Sequence, residues 1–349
     1  MPRRSLPPGT MSSRASMPEA FDAAVYEEAA REALAAFPVG PAAIRFVNVS
    51  ENVTFRVDEQ ATGKAFVLRL HRPDYHSRAA LDSERLWTRA LDEAGLLVPR
   101  PVVARNGEDY VRVAVAGTGE ERWAGLAAWA EGEVLNEMIQ AEPDPDVNAA
   151  HYRELGRTLA AAHRQARAWR VPPGFVRHSL DEDGLMGERP FWGPFWEHAI
   201  LTPGERSLLL ATRDRIHAAL VRYGKPARTY SIIHADLHPR NVVVSGGRLA
   251  MIDFDDCAFG WHQYDLGVAL FSFDGAPHAE RYGDALVGGY LSEHAMAEAD
   301  LALLPMFLLI RRMAVIGWLH ERPELGVSPR LPGIRERACA AAEAFVPPC

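Results

Sequence analysis

Lysine is almost missing from this chain. Lys64 and Lys225 are the only two among 38 lysines and arginines, so nearly every positive charge is a guanidinium. Cysteine is scarce as well: Cys257, Cys339 and Cys349 show no CxxC or paired spacing, which excludes a disulfide framework or zinc ribbon and reads as reduced thiols. The longest apolar stretch, LALLPMFLLI at 301–310, ends at Arg311 and Arg312 and falls well short of the ~20 residues of a membrane span. A net charge of −8 argues against a dedicated nucleic-acid binder, which would show a basic face. No G-x-x-x-x-G-K-[ST] occurs, and GTGEER at 117–122 lacks the third glycine of a dinucleotide fingerprint.

What is present fits a cytoplasmic globular enzyme: 349 residues, 48% hydrophobic and 24% charged, enough for one large or two ordinary domains. Residues 1–21 are rich in Arg and Ser and carry Arg3-Arg4, but no apolar segment follows as an export signal requires. They read as a disordered tail. A helix is expected over 22–36, then β-prone runs at 44–59 and 65–73, and a helix at about 78–94 closed by Gly95. Asn106-Gly107 between two further β-prone runs predicts a hairpin. Beyond about residue 130 the composition turns helical, with a long helix at about 147–169 and another after Thr202-Pro203, where Glu205 completes a capping box.

Within that helical part, SIIHADLHPRNVVV (231–244) sets two His, an Asp, an Arg and an Asn between two apolar runs. Three readings compete. His234, Asp236 and His238 are donor types for iron or zinc, yet Pro239 disturbs the extended backbone that would align them on one face. A polar turn without chemistry is the plain alternative. The third reading is a phosphoryl-transfer loop. His234, Asp236 and Asn241 have the spacing H-x-D-x-x-x-x-N, and IDFDD places Asp253 twelve residues after Asn241. Phosphoryl transfer needs a carboxylate to accept the proton of the attacking hydroxyl, here Asp236. It also needs an Asn and a second Asp to hold Mg²⁺ on the phosphates, here Asn241 and Asp253.

The run IIHADLHPRNVVV…MIDFDDCAFGWHQYDLGVAL resembles the aminoglycoside phosphotransferase or choline kinase-like family, most sharply over 232–270. Within it the run is more similar to kinases near homoserine kinase type II and the bacterial stress-response kinase. The resemblance implies an α+β, bilobal protein-kinase-like fold: a small β-rich N-lobe with one internal helix (22–130) and a larger, mainly helical C-lobe (131–349). It implies ATP and Mg²⁺ as cofactors and Leu126 to Ala130 as the hinge that meets adenine. It places Arg69, in FVLRL, where the family has its nucleotide lysine, and Arg is not a conservative replacement for Lys. Glu84 is an acid on an otherwise apolar stripe with Ala80, Trp87 and Leu91, so an Arg69–Glu84 ion pair is expected. Ser50, Glu51 and Asn52 stand at the glycine-rich loop without any glycine, and their backbone N–H groups are the candidates to approach phosphate.

For the acceptor, Asp255 and Asp256 add negative charge beyond what Mg²⁺ neutralises, with Glu188 and Glu197 as further acids, favouring a cationic hydroxyl compound. Trp192 and Trp196 in RPFWGPFWEH, and Trp261, His262 and Tyr264 after the metal segment, are candidates to line its pocket, although such clusters are also core formers. His234 and Asp265 are assigned to supporting the loop, and His238 to a solvated turn. The activity expected is transfer of the γ-phosphate of ATP to a hydroxyl of a small metabolite, without nucleic-acid or membrane partners. A Ser/Thr protein kinase using the same parts is the alternative, and a catalytically poor nucleotide-binding regulator the alternative from another class.

Overall fold

A computed structural model describes residues 23–49, 52–323, 326 and 328–347; the N-terminal tail, Ser50 and Glu51 lie outside the described residues. Helix α1 (Ala23–Leu34) is followed by β1 (Ala42–Val49), β2 (Val53–Glu59) and β3 (Ala65–Leu70). Helix α2 (Arg78–Glu93), β4 (Pro101–Val102), β5 (Tyr110–Val115) and β6 (Glu120–Ala128) complete the first part. These strands form one antiparallel sheet in the order β1-β2-β3-β6-β4, with β5 also paired to β6. Period-two alternation assigns the faces. Val53, Phe55, Val57, Leu68, Leu70 and Leu126 are buried in one cluster with Ala29, Ala30 and Ala33 of α1. Val67 and Arg69 consequently take the opposite side.

The hairpin expected at Asn106-Gly107 does not form between its flanking strands. A local turn is present, with the Gly107 N–H donating to Ala104 O at 2.9 Å, but β4 and β5 each pair with β6 instead. The longer strand β6 offers more ladder bonds than the two-residue β4 can. β5 reaches β6 through the turn at 116–119, where Gly117 and Gly119 adopt positive φ.

The second part contains β7 (Glu133–Val134), α3 (Leu135–Ala141), α4 (Pro145–Ala168), β8 (Ser179–Leu180), α5 (Glu182–Met186) and α6 (Pro203–Tyr223). The short strands β9 (Tyr230–Ile233), β10 (Val242–Ser245), β11 (Arg248–Met251) and β12 (Ala258–Trp261) follow. Helices α7 (His262–Phe271), α8 (Ala279–Glu293), α9 (Glu298–Leu301), α10 (Leu304–His320) and α11 (Leu331–Ala344) finish it. The capping box at Thr202 and Glu205 starts α6. β10 pairs with β11 as the hairpin that follows the polar loop, and β9 pairs with β12 behind it.

Helices α4 and α8 touch backbone to backbone. A Cβ at Gly156 would lie 2.0 Å from Leu286 O, and one at Gly289 2.0 Å from Arg153 O. Gly156→Ala must push the helices apart, and we expect a loss of about 1–3 kcal/mol in chemical denaturation.

By length and mean hydropathy (1.7) the run Glu298–His320 could cross a membrane. Its Phe307, Ile310, Met313 and Ile316 are buried in one cluster with residues of α6, α7 and α11, the pattern of a core helix.

Candidate active site

The polar loop between β9 and β10 is built on a strained turn. Ala235 has φ 67° and Asp253, on the facing segment, φ 66°, a region costly for residues with a Cβ. The carboxylate of Asp265, at the start of α7, holds the first of these in place. It accepts the His234 N–H at 3.0 Å and the Ala235 N–H at 2.6 Å, and its Oδ2 lies 3.0 Å from His163 Nε2 of α4. Burial pushes the Asp265 carboxyl up to about 6, against the pull of His234 and the two amides. The His234 ring contacts Ile252 O through Nε2 at 3.0 Å and packs on Phe254, which in turn meets Trp87 of α2 edge-on. The backbone of the polar loop, the segment at 252–254 and α2 are thus one packed unit.

Asp236 projects from this turn with both oxygens engaged. Asn241 Nδ2 donates to Oδ2 at 3.1 Å and to Asp236 O at 3.0 Å, and His238 Nε2 is 3.4 Å from Oδ2. Oδ1 receives Arg311 Nη2 at 2.5 Å, from α10. Burial works to raise the Asp236 carboxyl, but His238 and Arg311 outweigh it and hold the group well below the ordinary carboxylate range. His238 is therefore not a plain solvated turn position, since it is half-buried against Asp236 and its Nδ1 accepts the Arg240 N–H. Arg311 went unnoticed in the sequence, where it merely ends an apolar run.

Across the cleft, Arg69 Nη1 reaches Asp253 Oδ1 at 3.0 Å. This corrects the expected Arg69–Glu84 pair. Glu84 lies near enough to act on Arg69 electrostatically, but it is buried (4% exposed) with Oε2 unpartnered. Asp253, 42% exposed, offers the guanidinium a wetter and less costly partner. Burial pushes the Asp253 carboxyl up; Arg69 opposes this, while Asp255, Asp236 and Glu84 add to it.

Asp255 is buried and points at His71, 3.5 Å from its Nδ1, which favours its ionised form against the cost of burial. It faces His71, at the end of β3, and is not among the walls of the two cavities described below. Asp256 is half-buried, and its Oδ1 accepts the Tyr75 hydroxyl at 2.8 Å. Burial and the neighbouring Asp236 and Asp255 push its carboxyl up to about 8. Among the described residues no cation lies within ion-pair distance of Asp256, whereas Arg311 pairs with Asp236 and Arg69 with Asp253.

Three of the aromatic assignments are corrected. Trp261 is 0% exposed, packs on Tyr230 and Phe307 and donates to Gly224 O at 2.9 Å, so it belongs to the core. His262 and Tyr264, in the first turn of α7, are buried as well. Tyr264 stacks under Trp192 at 5.6 Å, and Trp192 is itself largely buried. Trp196 remains half-buried, with Arg213 over its ring at 4.8 Å. Asn52 also turns inward, its Oδ1 accepting the Arg72 N–H at 3.0 Å, so its side chain braces the β1–β2 turn.

Asn241 and Asp253 fit a hard divalent cation. The Asn241 amide nitrogen is spent on Asp236, leaving its oxygen for a ligand, and Asp253 sits among carboxylates that a cation would relieve. Among the described residues no group of three His, Cys, Asp or Glu could hold a metal alone. A magnesium ion would need only one or two protein ligands and would complete its shell with phosphates and water. A cavity of about 650 Å³ is walled by Tyr75, Phe191 and Trp196 with Glu188 and Glu197; Asp236, Asn241 and Asp253 are not among its walls, and the Tyr75–Asp256 hydrogen bond links it to the segment that carries Asp253. A larger one of about 760 Å³, between the α2 end, α4 and β11, contains none of these residues.

A loop-borne Asp beside an Asn, facing a left-handed Asp on a following hairpin and an N-lobe guanidinium, defines a phosphotransferase of protein-kinase-like architecture. The comparisons agree: residues 43–301 match the phosphotransferase enzyme family (APH), and the chain belongs to it. Amicoumacin kinase of Bacillus subtilis (strain 168) is 25% identical over 309 residues, covering 86% of each chain. Homoserine kinase of Nitrobacter winogradskyi is 28% identical over 316 residues, again covering 86% of each. A solved structure of a microcompartment-associated aminopropanol kinase superposes with a TM-score of 0.74 at 30% identity, covering 92% of this chain and 94% of that one. The protein is a kinase.

Proposed function

We propose that this kinase moves the γ-phosphoryl group of ATP, bound with Mg²⁺, to a hydroxyl of a small amine-bearing alcohol in the cytoplasm. In this reading Asp236 receives the hydroxyl proton and Asn241 and Asp253 hold Mg²⁺, which supplies charge neutralisation on the phosphates. Arg69 exchanges Asp253 for phosphate oxygens. His234 and Asp265 keep the loop in its strained form. The reading is supported by three relatives named for small-molecule kinases.

The observation that carries the acceptor class is Asp256, which has no ion-pair partner among the described residues and whose Oδ1 accepts the hydroxyl of Tyr75, a residue of the neighbouring cavity wall. An ammonium group on the acceptor would draw this raised carboxyl into its ionised form, and the aromatic wall suits it. ADP release should therefore be faster with amino alcohols than with the same alcohols lacking nitrogen. Asp256→Asn should erase that preference, lowering kcat/KM for the amine by roughly 10–100-fold, the scale of one charge-assisted contact. Turnover confined to a protein substrate would reject the small-molecule reading.

A further inference from the structure

We propose that Arg311 is a positioning residue of the transfer reaction, its guanidinium fixing the Asp236 carboxylate in the orientation from which it takes the acceptor's proton. This rests on Asp236 being the base. Arg311 lies 75 residues away along the chain, on α10, and its side chain is only 11% exposed. Nη2 contacts Oδ1 at 2.5 Å, while Nη1 is 3.5 Å from the Tyr264 hydroxyl. The rings of Trp192 and Phe271 lie 5.8 and 5.9 Å from the guanidinium carbon, so aromatic groups from the 190s loop and α7 surround the cation.

The consequence for Asp236 is geometric. Asn241 and His238 engage Oδ2 and Arg311 engages Oδ1, so donors on both oxygens oppose rotation of the carboxylate. Oδ1 keeps an accepting direction for a hydroxyl, because an ionised carboxylate offers about two lone-pair sites on each oxygen and Arg311 takes one of those on Oδ1. Two of the three donors belong to the loop itself and move with it. Arg311 alone ties the base to the core of the larger lobe, through a helix whose Phe307, Ile310 and Met313 are fully buried.

Stability gives no sufficient reason for this pair. Ion pairs this deep recover little beyond the cost of desolvating both groups, and an apolar side chain packed between Trp192 and Phe271 would serve the core as well. A guanidinium also differs from an ammonium here, since its planar fork can lie between rings while one nitrogen points at the carboxylate. Misplacing a catalytic group by about 1 Å can cost on the order of 10²-fold in rate.

The experiment uses the full chain, Mg-ATP and the best acceptor found for the wild type. Arg311→Met should lower kcat by roughly 10–100-fold. Its KM for ATP should stay within about twofold of wild type, as should the Mg-ATP-induced rise in melting temperature, because Arg311 touches no nucleotide-side group. Arg311→Ala should regain part of its lost kcat on addition of guanidinium chloride at non-denaturing concentration, whereas a purely structural role would not respond. A kcat for Arg311→Met within about threefold of wild type overturns the proposal. So does a loss of kcat accompanied by loss of the Mg-ATP shift and no guanidinium rescue. If the wild type itself transfers phosphate to no hydroxyl, the kinase reading falls and this proposal with it.

Discussion

Replacing Asp236 by Asn should lower kcat by roughly 10²–10⁴-fold, the range a positioned general base contributes, while Mg-ATP still raises the melting temperature as in wild type. The asymmetry follows from where Asp236 sits. Its oxygens meet Asn241, His238 and Arg311, and none meets Arg69 or Asp253. An amide keeps the shape but cannot take a proton, so binding of the nucleotide survives and transfer does not. A second effect accompanies it. Arg311 keeps its charge in a nearly buried position without its carboxylate, and the ligand-free protein should lose about 1–3 kcal/mol in denaturant titrations. Equal losses of binding and turnover would reassign Asp236 to the nucleotide side.

Asp253→Ala should give the opposite pattern, abolishing the part of the Mg-ATP thermal shift that depends on Mg²⁺. At ligand about 100-fold above Kd, wild type gains about 2.7 kcal/mol, which is several degrees of melting temperature in a protein of this size. The variant should show the same small shift with Mg²⁺ as with chelator. Arg69 loses its 3.0 Å partner in the variant, so any residual ATP binding without metal comes from that freed guanidinium. A Mg²⁺-dependent shift equal to wild type would remove Asp253 from the metal site.

The position of the polar loop and of the segment that faces it could be read from sequence because both are local. H-x-D-x-x-x-x-N and the following Asp lie within twenty residues, and their spacing is fixed by a tight turn and a short hairpin. The fold followed from the same source, with period-two strands before residue 130 and capped helices beyond it. Long-range choices were not legible. Arg311 reads locally as the polar end of an apolar helix, and only the packing of α10 beside the loop brings it to Asp236. Arg69 prefers Asp253 to Glu84 because solvent access differs between two acids that the sequence presents as equals. Trp261 and Tyr264 show the limit of aromatic patterns, since a ring next to a metal segment can equally well be core, and here both are. The hairpin at Asn106-Gly107 failed for a related reason: a turn can form while its strands find a longer partner in β6.

The central claim, ATP-dependent transfer to a small amine-bearing alcohol, is tested most directly with ATP labelled at its γ-phosphate. The purified protein would be incubated with Mg²⁺ and a panel of amino alcohols and their nitrogen-free counterparts, and the label followed into product. The account predicts label in a phosphomonoester of an amino alcohol, formed with one ADP per product. Label retained in ATP throughout, or released only as inorganic phosphate, would contradict it.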